Sequence, residues 1–168
     1  MRHLQIHTTQ DDHRVAKLAA LAIALHLIEA VVPSPLPGVK PGIANIVTLY
    51  VLYRFDFAKA AWVSLLRVFA SSLLFGNFLS PTFVLSLSGA MMSLVALYFS
   101  QYLPRRHFGP VSLSILAAFM HMLAQLLLVR FWLIPHAGVA YLIPIFMLAA
   151  LFFGLINGVV TNILLKRA

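Results

Sequence analysis

Six stretches of apolar residues, broken by short polar or turn-rich segments, set the rhythm of the chain: 15–32, 42–53, 57–75, 83–102, 111–133 and 139–165. A helix crossing a bilayer needs about 20 residues, within roughly 17–25, and every run but the second meets that length. The second must gain length at its ends, be buried by its neighbours, or start from a loop already inside the membrane. The last option works only where protein or a water-filled cavity covers the irregular backbone. The pattern predicts an all-α integral membrane protein: a bundle of about six transmembrane helices in a single domain over residues 15–168. A polar leader, 1–14, precedes it. After the first run, Glu29-Ala30-Val31-Val32-Pro33 lacks the small-residue pattern of a signal cleavage site, so the first helix is read as retained.

Composition sharpens the class. Apolar residues make up 62% of the 168 and charged residues only 10%, and mean hydropathy is +0.96. A water-soluble domain is about 45–50% apolar and about 25% charged, so lipid is the expected solvent. The net charge of +8 would attract nucleic acid if it formed one patch, but the cations fall in short clusters between apolar runs. Arg2, Arg14, Lys17, Arg54, Lys59, Arg105, Arg106, Lys166 and Arg167 all belong to one side of the bundle, while Lys40, with Arg130 near a helix end, belongs to the other. Cytoplasmic loops carry the positive excess. Both termini are therefore expected in the cytoplasm, the protein in the cytoplasmic (inner) membrane, and no nucleic-acid partner. With no cysteine, disulfides and thiolate chemistry are excluded.

Orientation converts sequence position into depth. His26 and Glu29, three residues apart on one helical face, fall in the outer part of the first helix. Arg67 lies near mid-membrane in the third, and Asn77 just beyond its end. In the fifth helix His121 is central, Gln125 one turn further out, and Arg130 near the outer surface. Lys40 and Asn45 flank the start of the short second run. A charge at the bilayer centre costs about 2.5–3.5 kcal/mol on insertion scales, so such residues face a bundle interior or a cavity. Glu29 and Arg67 read either as an ion pair joining two helices or as parts of an outward-facing polar pocket. With Lys40 and Arg130 nearby, such a pocket is net positive and suits an anionic ligand. His121 and Gln125, at i,i+4 spacing, can share one ligand or make an interhelical hydrogen bond. Nothing in the spacing of His26, Glu29 and His121 demands a metal, and no cofactor is expected. Tyr98, Tyr102, Trp132 and Tyr141 sit at run ends as interfacial anchors.

Two further segments are distinctive. Residues 33–42 hold four prolines and two glycines, which no regular helix accommodates. They read as an exposed stiff loop or as one that folds over the bundle and carries Lys40 into a pocket. Ala16, Ala20 and Ala24 repeat a small residue every fourth position, a pattern that lets a second helix approach closely, inside the bundle or from a membrane partner.

The stretch LPGVKPGIANIVTLY (36–50), with LLRVFASSLLFGNFLSPTFVLSLSGAMMSL (65–94) and HMLAQLLL (121–128), resembles the Gx transporter or heptaprenyl diphosphate synthase component I family. Two departures stand out: Pro41 replaces the usual leucine, and an HNxGQ-like motif is reduced to His121 and Gln125. That family is similar to the substrate-binding subunits of energy-coupling factor transporters. The resemblance implies capture of a vitamin-like molecule by the first loop and the last three helices. It also implies docking through first-helix alanines onto a transmembrane coupling subunit driven by ATPases. The family's other name implies a soluble prenyl synthase as partner. Prenyl transfer needs carboxylates clustered around magnesium, whereas this chain has four acids, Asp11, Asp12, Glu29 and Asp56, in separate segments. It also lacks a phosphate-binding glycine loop. The expectation is a membrane substrate-binding and transport subunit, similar to those of energy-coupling factor transporters, for a small anionic vitamin- or isoprenoid-related molecule; the alternative is a non-catalytic membrane component of heptaprenyl diphosphate synthase in quinone biosynthesis.

Overall fold

The computed structural model describes residues 9–31, 40–102 and 108–167. Among these the chain forms six α-helices and no strand: α1 Gln10–Val31, α2 Ala44–Arg54, α3 Phe57–Leu74, α4 Pro81–Ser100, α5 Pro110–Leu128 and α6 Ile143–Arg167. A π-helical turn, Val129–Leu133, prolongs α5, and a 3-10 segment, Ala137–Leu142, leads into α6. Four stretches are long and apolar enough to cross a bilayer: α3, α4, α5 with its π turn, and α6 with its 3-10 lead. The protein is a helical membrane protein whose outer faces carry exposed Trp62, Leu148 and Phe152, as lipid contact requires.

α1 begins before its apolar run, inside the stretch expected to be leader. The Thr9 hydroxyl accepts the Asp12 N–H at 3.2 Å while the Asp12 carboxylate accepts the Thr9 N–H at 2.8 Å. This reciprocal box satisfies the first orphan donors of the helix and fixes its start. α3 is capped by Asp56, whose carboxylate accepts the Lys59 N–H at 2.8 Å. That hydrogen bond, helped by the Lys59 ammonium at 3.0 Å, holds the Asp56 carboxyl below its ordinary value. A lowered folded value means the cap contributes fully at neutral pH and is lost as acid brings the pH down through it.

α2 spans 11 residues, about 16 Å of helix against a hydrocarbon core of about 30 Å. Burial by neighbours resolves the mismatch: α2 packs against α1, α3 and α6, and Ala44, Val47, Thr48, Leu49 and Val51 are buried. Small side chains make this possible, since Ala19, Ala22 and Ala60 surround Val47, Val51 and Val63.

α5 and α6 form the most extensive helix pair. Gly154 and Gly158 share one face of α6 and bring it against the α5 backbone. A Cβ at Gly158 would lie 2.6 Å from Val111 Cα, and one at Gly154 would lie 3.0 Å from Ile115 Cα. Most of the proline-rich stretch, residues 33–39, lies outside the described residues, as do 1–8 of the leader and the Arg105-Arg106 pair.

Candidate functional site

A cavity of about 500 Å³ opens between the helices. Its two sides differ in chemistry. α1 to α4 and the approach to α2 supply His26, Glu29, Lys40, Asn45, Arg67, Thr82 and Ser86. The opposite wall, from α5, α6 and the segments joining them, is chiefly apolar and includes Met122, Leu126, Val139, Leu142, Phe146 and Ala150. His121, Gln125 and Asn157 are the polar exceptions on that wall. The volume is that of a small-molecule site.

Arg67 lies midway along α3 and is only 3% exposed. All four acidic side chains are among the described residues, and none makes an ion pair with it. Its Nε has no hydrogen-bond partner among them either. A guanidinium is a fork of five donors that always carries charge. At the cavity wall it is available to an anion.

Glu29 is engaged elsewhere, so the ion pair that charge alone suggested does not form. One carboxylate oxygen accepts the backbone N–H of Ile43 at the start of α2, and the other lies 3.8 Å from His26 Nδ1. Ile43 makes no side-chain cap, which leaves the positive end of α2 to be satisfied from α1. Asn157 of α6 completes the arrangement. Its Nδ2 donates to the carbonyls of Pro41 at 3.0 Å and Gly42 at 3.1 Å. Gly42, at φ +69°, takes the left-handed turn that glycine tolerates. Sequence reasoning missed Asn157, although it is one of two amides, with Asn162, in the largely apolar run 139–165.

The remaining sequence candidates divide clearly. Lys40, Asn45, His121 and Gln125 reach the cavity with Arg67 and Glu29. Gln125 Nε2 also donates to the Leu85 carbonyl at 3.3 Å, tying α5 to α4. Asn77 lines an adjoining recess of about 150 Å³ that shares His26 and Lys40 with the main cavity. Arg130 does not line the cavity; it sits in the π turn, 5.8 Å from the centre of the Phe131 ring. Ala16, Ala20 and Ala24 are exposed on the outer face of α1, while Ala19 and Ala22 pack inward.

His121 is set by a glycine. Its Nδ1 is shielded and has no partner among the described residues, and a Cβ at Gly89 would lie 2.6–2.8 Å from three atoms of its ring. Gly89→Ala is therefore expected to push the ring across the cavity and lower the melting temperature by about 2–10 °C. Thermal unfolding in detergent checks this, with Gly109→Ala as the control because nothing lies within 4 Å of a Cβ there.

A family model described as heptaprenyl diphosphate synthase component I matches residues 18–164. The chain belongs to this family. No curated protein and no solved structure matches it. The component I match takes in every residue named above as lining the cavity, and of the α1 alanines it includes Ala20 and Ala24 but not Ala16. The family description names a component of a prenyl synthase, and the match covers nearly all of the described helices.

Proposed function

We propose that this chain is a non-catalytic membrane subunit that binds a small amphipathic anion, with the acidic group against Arg67 and the apolar body along α5 and α6. The observation that carries the reading is Arg67 itself: buried, charged, with no acid within ion-pair distance and facing a cavity. A fixed cation in a low-dielectric site attracts an anion far more strongly than one in water does. Lys40 adds a second positive charge from the approach to α2. The apolar wall opposite gives a hydrocarbon body a place to bury, at about 25 cal/mol per Å².

In this reading six helices cross the cytoplasmic membrane, both termini are cytoplasmic and the cavity faces outward. The exposed alanine face of α1 would receive a transmembrane coupling subunit with its ATPases, and the protein would deliver its ligand for transport. A second reading is favoured by the family description. There the same cavity holds an isoprenoid diphosphate for a soluble prenyl synthase, and the chain serves as that enzyme's membrane component.

Native mass spectrometry of the protein purified in mild detergent tests the shared premise. The expected result is a copurifying anion with an apolar portion, lost on Arg67→Met. A protein that carries no anion and takes up none overturns it. Copurification of ATPases with a coupling subunit selects transport, and copurification of a prenyl synthase selects the second reading.

A further inference from the structure

The contact between Glu29 and α2 has the form of a ligand contact. A carboxylate reaches across from another helix, is 5% exposed, lines the cavity and accepts the Ile43 N–H. Glu29 also draws on the Ala44 N–H, and the N–H groups of Asn45 and Ile46 are already used internally, by the carbonyls of Gly42 at 2.8 Å and Ile43 at 3.0 Å. The free end of α2 therefore has little besides Glu29 to satisfy it. A helix terminus of this kind is a ready anion site, because its orphan donors and its dipole both favour negative charge. Asn157 and the left-handed turn at Gly42 hold the terminus in place from α6. On the same cavity wall stands Arg67, a cation with no acid within ion-pair distance. Two anion-seeking features thus face one cavity, and the chain fills one of them with its own carboxylate.

We propose that the N-terminus of α2 is a second anion subsite of the cavity, held in the empty protein by Glu29 as a stand-in for the ligand's acidic group. The ligand displaces Glu29, takes the Ile43 N–H and bridges to Arg67. This inference rests on the reading of the cavity as an anion site and adds the competitor within it. The groups facing Glu29 are His26 on its own helix, Lys40 on the approach to α2, and Arg67 on α3. A displaced Glu29 therefore remains among positive or neutral partners. The ligand class follows: an acid whose oxygens can engage a main-chain N–H and a guanidinium together, such as a phosphate monoester or a free carboxylate head.

The test uses the full chain in lipid nanodiscs and three probes sharing one tail: decyl phosphate, decanol and decyltrimethylammonium, with empty nanodiscs as the partition control. Glu29→Gln keeps an oxygen for the Ile43 N–H and removes the charge, while Glu29→Ala vacates the terminus. Displacement predicts that decyl phosphate binds the glutamine variant more tightly than the wild type. It binds the alanine variant more tightly still, by about tenfold over wild type, with decanol unchanged. Equal tightening in both variants would mean charge repulsion without displacement and overturns the proposal. So does weaker or unchanged binding, or a variant preference for decyltrimethylammonium. Failure of decyl phosphate to bind wild type and variants alike overturns the anion cavity itself and this inference with it. Should the alanine variant unfold, Glu29→Ser, whose side chain is too short to reach across to the Ile43 N–H, takes its place in the same comparison with the glutamine variant.

Discussion

Arg67→Met is expected to make the empty protein more stable and, at the same time, unable to hold its ligand. The two effects have one cause. A buried guanidinium without a close partner is destabilising, and none of the four acids lies within ion-pair distance of it, Glu29 attracting it only from further off. Methionine fills similar volume without charge, so the melting temperature should rise, by about 2–4 °C for each kcal/mol recovered. Decyl phosphate should bind about a hundredfold more weakly or worse, since losing one partner of a buried charge pair costs about 2–5 kcal/mol. Arg67→Lys, which keeps charge without the planar fork, should fall between. Thermal unfolding and titration on the same preparations check both halves. A fall in melting temperature with binding intact would make Arg67 a structural residue.

Gly158→Leu is expected to prevent recovery of folded protein. Even the first carbon of a side chain would lie 2.6 Å from Val111 Cα and 3.2 Å from its carbonyl oxygen. Backbone cannot yield as a side-chain tip can, so α5 and α6 must separate along their shared face. Gly158→Ala alone should cost about 3 kcal/mol, near the top of the usual range for overpacking, or about 6–12 °C in melting temperature. Size-exclusion profiles and thermal unfolding in detergent give the readout. A monodisperse leucine variant with wild-type stability would mean that this helix pair is not held by its close approach.

The helices were largely legible because each needs only a run of apolar residues between turn-formers. α3, expected over 57–75, is Phe57–Leu74, and α4, expected over 83–102, is Pro81–Ser100. The start of α1 was misplaced because hydropathy does not see capping: Thr9 and Asp12 extend the helix through polar residues. In the cavity, Arg67 and Glu29 announced themselves by charge, but their relation did not. The partner of Glu29 is a main-chain N–H, and every residue except proline has one, so sequence could not single out Ile43. Arg130 was placed by depth and not by face. Nine residues beyond His121 is two and a half helical turns, which points it away from the cavity before the π turn adds its own rotation. Asn157 went unread because it carries no formal charge, although a buried amide in a largely apolar helix carries the same message at lower cost.

An open polar cavity in a membrane protein is a hazard as well as a site, since a file of water through it would dissipate the gradients the bilayer maintains. In the proposed outward-facing site, the guanidinium at the middle of α3 would guard against this. Positive side chains and the positive ends of short helices are what other water-filled membrane pores use to keep protons and cations from passing. Arg67, Lys40 and the free end of α2 stand together at this cavity wall. The charge proposed to ready the protein for an anion would, by the same physics, keep the empty site electrically tight.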